Sequence, residues 1–219
     1  MAKQGTRLNP MTSEIPKVLS STLVLPFLGR REYLHGTTLY RSLRALAPED
    51  AEVCFRISKI IKTNVIRICD PKKNVKFAAR LDWKSGSELK TLAVEMLNSQ
   101  LPILREEYDE TSILQNAKIK GGTADLLEGS PFDVIATAVP LFKEILRVNQ
   151  AVNTSGQWMF SRLDTLRSES SVSFPLKVCL ESIRRGSLAK ASVFVTNSHW
   201  ADLYFSWVSV EAYSARQGS

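Results

Sequence analysis

Apolar and polar positions along this chain fall into two successions of the same kind. Residues 19–27 form an apolar run that reads as a strand, followed by the loop Gly29-Arg30-Arg31-Glu32-Tyr33. Gly36-Thr37-Thr38 then supplies the small residue and hydroxyls that start a helix. Leu39, Leu43 and Leu46 recur at i, i+4 and i+7 along it, with Arg41 and Arg44 on the other side, and Ala47-Pro48-Glu49-Asp50 ends it. From Val53 the period becomes two. Val53, Phe55 and Ile57 face one way, Cys54, Arg56 and Ser58 the other, and a second strand runs over 64–69. Residues 70–74 read as a turn, 75–83 as a strand and 84–87 as a break. Residues 89–97 fit neither period cleanly, with a slight edge to helix.

The order returns in the second half. Gly129-Ser130-Pro131-Phe132-Asp133 leads into an apolar helix over 132–148, and a strand follows over 157–166. Val172, Phe174, Leu176, Val178 and Leu180 alternate strictly, the clearest strand signal in the chain. Residues 184–187 turn into a strand carrying Ala191, Val193 and Val195. Asn197-Ser198-His199 turns again, into a closing strand with Leu203, Phe205 and Trp207. Between the halves, residues 101–128 carry Pro102, an acidic cluster and Gly121-Gly122, and read as a linker with a short strand at 117–119. The expected organisation is an arm over 1–17, a first unit over 18–100, the linker, a second unit over 129–213 and a polar tail over 214–219.

Composition narrows the class. With 219 residues and 44% hydrophobic positions the chain can bury a substantial core. No apolar run is long enough to span a bilayer, and no apolar region follows Lys3 and Arg7, so neither a membrane segment nor a secretory signal is expected and the expected location is cytoplasmic. Cys54, Cys69 and Cys179 are far apart and read as buried free thiols. With two histidines they make no metal-ligand spacing, and no metal or cofactor is expected.

The formal net charge of +7 is all contained in residues 56–90, where ten basic residues face three acidic ones. These charges alternate along strands without aromatic platforms, so specific nucleic-acid recognition is not expected, and a lysine-protected sheet edge accounts for them equally well as a partner site.

Each half offers one apolar helix followed by antiparallel strands, an α+β arrangement in which a sheet wraps a helix. It resembles the hotdog fold, and two such units in one chain resemble a double hotdog. Leu25-Pro26-Phe27-Leu28, the loop over 30–34 and His35-Gly36-Thr37 form one motif. Ser130-Pro131-Phe132-Asp133-Val134-Ile135 forms a second, with Trp158-Met159-Phe160-Ser161-Arg162-Leu163 beyond it. In these the chain resembles the dehydratase domains of polyketide synthases and the related product-template cyclase domains.

That resemblance implies lyase-, cyclase- or isomerase-like work on an acyl thioester. It also implies an acidic acyl carrier protein or synthase complex as partner, docked on the basic segment 56–90 or on Arg30-Arg31. It places Leu25 where the family carries its catalytic histidine and Ile135 where it carries its aspartate. An aliphatic side chain neither takes nor gives a proton. The remaining candidates are His35 as a relocated base and Asp133 as a relocated acid, with Arg30, Arg31, Tyr33 and Tyr40 as substrate-binding residues. The alternative is an inactive relative kept as a partner subunit or scaffold, and the chain could also pair as a homodimer.

Overall fold

The computed structural model describes residues 21–71, 76–99, 101–149, 156–167, 174–184 and 187–209. The expected arm, the polar tail and much of the turns over 70–74 and 184–187 lie outside these residues.

The strand expected over 19–27 is split into β1 (Ser21–Val24) and β2 (Phe27–Leu28). Pro26 stands between them and has no N–H to offer a ladder. Helix α1 (Gly36–Arg44) buries Leu39 and Leu43. Leu46, expected on the same face, is exposed, and Arg44, expected on the opposite one, is buried. The helix stops at Arg44, whose guanidinium turns inward and donates to the carbonyls of Ala47, Pro48 and Glu49.

The first unit continues with β3 (Val53–Ile57), β4 (Val65–Cys69), β5 (Ala79–Ser85) and β6 (Glu88–Met96). Residues 89–97 are therefore strand, not helix. Gly86, at φ +62°, makes the tight turn between β5 and β6, a conformation glycine adopts without strain. The two strands then pair from Ser85↔Glu88 to Ala79↔Val94. The ladder partner, not the local period, decides this segment.

Residues 101–128, expected as a linker, hold β7 (Arg105–Glu106), α2 (Glu110–Gln115), β8 (Lys118–Lys120) and β9 (Thr123–Leu126). β8 lies where the short strand was expected, and β7 pairs in parallel with β2. Helix α3 (Val134–Val148) follows, then β10 (Gly156–Thr165), β11 (Leu176–Arg184), β12 (Leu188–Val195) and β13 (Ser198–Ser209). The turn before β13 sits on Thr196 and Asn197, both at positive φ, so His199, expected in the turn, is already in the strand.

Among the described residues, eleven strands form one sheet in the order β1-β4-β6-β5-β3-β10-β13-β12-β11-β9-β8. The strands β1, β4, β6, β5 and β3 meet the strands β10, β13, β12, β11, β9 and β8 where β3 pairs antiparallel with β10 through Arg56↔Arg162, Phe55↔Leu163 and Cys54↔Asp164. Thr165 Oγ1 accepts from Val53 N at 2.8 Å across the same join. Inward residues of both units share one core with α1 and α3, including Phe142 stacked on Phe205 at 4.9 Å. The fold is an α+β double hotdog whose two sheets run together edge to edge.

The basic segment 56–90 is not a sheet edge: β3, β4 and β5 all have neighbours on both sides, and among the described residues the edges are β1 and β8. Arg80, Arg56 and Arg162 stand opposite one another on successive strands. Asp82 relieves Arg80 at 2.7 Å and Asp164 relieves Arg162 at 2.5 Å. The three cysteines are free but half-buried rather than buried. No helix among the described residues is long and apolar enough to cross a membrane.

Candidate functional site

Helices α1 and α3 are in contact, and residues of both helices line each of two cavities. The first, about 210 Å³, lies at the N-terminus of α1 and is lined by Arg31, Tyr33, His35, Gly36, Glu110 and Lys143, with Trp158, Phe160 and Ser161 of β10 as its floor. The second, about 650 Å³, lies at the N-terminus of α3. It is walled by Tyr40, Phe132, Ile135, Phe174 and Trp200, with Arg41, Arg44 and Asp133 among its polar groups.

The two helix starts differ. Asp133 caps α3, its carboxylate accepting from Ala136 N at 2.7 Å, and it also holds Arg41 of α1 at 2.8 Å through Nε. His35 occupies the corresponding position before α1 but makes no side-chain cap, and the first turn of α1 carries no acidic residue. The N–H groups of that turn and its positive dipole end therefore have neither a cap from the His35 side chain nor an acidic residue in the turn, where His35 and Gly36 line the first cavity.

His35 is 7% exposed, and its Nδ1 lies 2.7 Å from Thr37 Oγ1. Burial, reinforced by the charges of Arg31 and Lys143, lowers its pKa from 6.5 to about 3, so the imidazole is neutral at pH 7. The acidic residue lining this cavity is Glu110, which pairs with Arg31 and lies 3.4 Å from Lys143. Two cations thus hold one carboxylate beside the neutral imidazole.

Of the candidates read from the sequence, Arg31, Tyr33 and His35 come together around the first cavity. Tyr40 and Asp133 line the second, and Arg30 is exposed and lines neither. The structure does not bring His35 and Asp133 to one cavity. Leu25 packs against the core and Ile135 is 3% exposed. His199 lies on β13, stacked on Phe194 with Nε2 3.0 Å from Asp202.

Glu110 and Lys143, which line the first cavity, and Tyr108, which lines neither cavity but rests against His35, Arg31 and Phe132, carry no motif. The signal that finds Tyr108 is Pro140, an imino acid in the interior of α3. Pro140 has no N–H for the carbonyl four residues earlier, that of Ala136. Tyr108 supplies the missing donor, its hydroxyl lying 2.6 Å from Ala136 O. Burial raises the Tyr108 pKa, with Glu110 adding to it, so the phenol is a hydrogen-bond donor at any ordinary pH.

No family model and no curated protein matches the chain. Among solved structures, the bifunctional dehydratase-cyclase domain of ambruticin biosynthesis is 11% identical, over 87% of this chain and 91% of that one, at a TM-score of 0.45. The dehydratase domain of MlnD from Bacillus amyloliquefaciens is 11% identical over 80% and 84%, at 0.41. A protein with the hot dog fold from Alicyclobacillus acidocaldarius is 10% identical over 81% and 87%, at 0.40. At such identities and scores the fold assignment rests on the chain's own strand order and helix placement.

Proposed function

We propose that this protein binds a short acyl thioester in the His35 cavity and holds it without dehydrating it. The observation that carries the reading is the start of α1, left without a side-chain cap where it meets a nine-tenths-buried His35. Such a helix start favours a partly negative oxygen, such as a thioester carbonyl. His35 Nδ1 lies within hydrogen-bond distance of the Thr37 hydroxyl; in the tautomer in which that hydroxyl donates, the imidazole carries its proton on Nε2 and offers a second donor for the same oxygen. The cavity volume of about 210 Å³ corresponds to roughly seven water-sized groups, the bulk of a short acyl chain. Lys59, exposed, and Lys143, with its side chain 54% exposed, stand at the rim and suit the phosphate of a coenzyme A or carrier-borne phosphopantetheine handle.

Dehydration needs a base and an acid on the same substrate. His35, with a pKa of about 3, is a poor base at neutral pH. Glu110 is engaged by two cations, Arg31 and Lys143. Asp133 serves the other helix.

Titration with butyryl-coenzyme A, followed by calorimetry against coenzyme A alone, tests the reading. Saturable binding that needs the acyl group and weakens with added salt is the expected result. Equal affinity for coenzyme A alone overturns acyl recognition, and conversion of 3-hydroxybutyryl-coenzyme A to the unsaturated product overturns the absence of dehydration.

The partner-subunit reading is favoured by one observation: Leu101, Ile103 and Leu104 are 54%, 52% and 50% exposed in succession, an apolar surface that a partner could cover.

A further inference from the structure

β5 and β10 carry the same tripeptide, Arg80-Leu81-Asp82 and Arg162-Leu163-Asp164, and each runs antiparallel to β3, one on either side of it. Leu81 and Leu163 are buried in the core with Phe55 of β3, so the arginines and aspartates lie on the opposite face of the sheet. There Arg80, Arg56 and Arg162 stand level, and the row continues through Tyr204 on β13 to Lys190 on β12. Asp82, Asp164 and Asp202 hold Arg80, Arg162 and Lys190, with side chains 7%, 19% and 15% exposed against 42%, 40% and 33% for the cations. The carboxylates therefore sit beneath and the positive groups above. On β3 the position level with Asp82 and Asp164 is Cys54, which leaves Arg56 without an aspartate of its own. Arg56 is exposed and makes no hydrogen bond or ion pair.

We propose that this row is a docking surface for an extended acidic segment of a partner protein, centred on Arg56. Nothing in it depends on the His35 cavity. Like charges directly opposite one another on neighbouring strands are destabilising, and Arg56 has one on each side. A carboxylate from outside relieves that repulsion and takes the whole Arg56 fork. Arg80 and Arg162 engage their aspartates through Nε and Nη2, which leaves the donors of Nη1 for the same partner. From β5 to β12 the row crosses four strand spacings, about 19 Å, the reach of roughly six residues of extended chain. A nucleic acid fits less well. Four cations above three carboxylates are few for a phosphate backbone. Tyr204, the aromatic ring of the row, is faced by the Arg162 guanidinium at 4.9 Å and by Lys190 Nζ at 5.8 Å, which leaves it a poor platform for a base.

The test measures fluorescence anisotropy of a labelled hexapeptide of alternating Glu and Thr, with three carboxylates on one face, against the full chain and its variants. Saturable binding that weakens with added salt is the expected result. Arg56→Thr is expected to weaken it at least about fivefold and Arg56→Lys, which keeps the charge but not the fork, to weaken it less. Lys84→Thr is the control, because Lys84 is exposed on the same face of β5, four residues from Arg80 and off the row. It is expected to leave the affinity unchanged. Arg56→Thr is also expected to raise the thermal midpoint of the free protein, since it removes two like-charge pairings. Absence of saturable binding, or equal losses in Arg56→Thr and Lys84→Thr, overturns the docking surface. A lower midpoint in Arg56→Thr makes Arg56 a structural residue and overturns it as well. Tighter binding of a thymidine hexanucleotide than of the peptide overturns the acidic protein segment as the partner.

Discussion

His35 combines burial with two nearby cations, and that combination has a measurable sign. Its folded pKa of about 3 lies below the ordinary 6.5. Between those values the unfolded chain binds the proton that the folded chain refuses. Stability due to this group is fully present above pH 6.5 and declines as the pH falls towards 3, by up to about 1.4 kcal/mol per unit. Chemical denaturation across that window is expected to show a shallower slope for His35→Gln than for the unaltered chain. Gly36 beside it is fixed by contact rather than by backbone conformation. A Cβ there would stand 2.6 Å from Phe160 Cδ1 and 2.7 Å from Ile57 Cδ1. The Ile57 methyl can move, but the Phe160 ring sits between Phe55 and Phe205 and cannot. Gly36→Ala is expected to cost about 1–3 kcal/mol in a denaturant titration. Gly36 was legible as a helix start, whereas the reason it must be glycine lies on β10, more than a hundred residues away.

At the scale of elements, the helix starts separate a structural role from a chemical one. If Asp133 acts as the cap of α3, Asp133→Ala loses about 1 kcal/mol and Asp133→Asn, which keeps the accepting oxygen, loses little. Its pair with Arg41 adds little, because the two side chains are 43% and 56% exposed. Equal losses in the two variants, measured by thermal unfolding, would instead assign the effect to charge. β6 makes the complementary point. Residues 89–97 showed no clean period because Ala93 and Val94 are both buried while Leu89 is 63% exposed, a pattern set by neighbours on both edges and by a turn at Gly86. Of the alternation read over residues 172–180, Leu176, Val178 and Leu180 lie on β11, with Leu176 and Val178 buried and Lys177 exposed between them, while Phe174 precedes the strand and Val172 lies outside the described residues.

For the molecule as a whole, the join between β3 and β10 makes one cooperative unit of two similar halves. Calorimetry is expected to show a single unfolding transition, and Thr165→Val, which removes the side-chain oxygen facing Val53 N, to lower its midpoint without splitting it. Two resolved transitions would show that the halves unfold separately.

The sequence by itself determined the two helices, most of the strands and the duplicated α+β order, because those follow from periods of 3.6 and 2 within a short window. It also marked Leu25 and Ile135 as unable to carry proton transfer, since that depends only on what the side chains are. Only the tertiary structure decided that His35 and Asp133 face different cavities, that Glu110 and Lys143 join the first, and that Tyr108 reaches Ala136 O of α3. Those facts depend on packing across long separations. Pro140, thirty-two residues after Tyr108, leaves a carbonyl free, and the phenol fills that gap only once the folded chain has brought α3 beside the segment before α2.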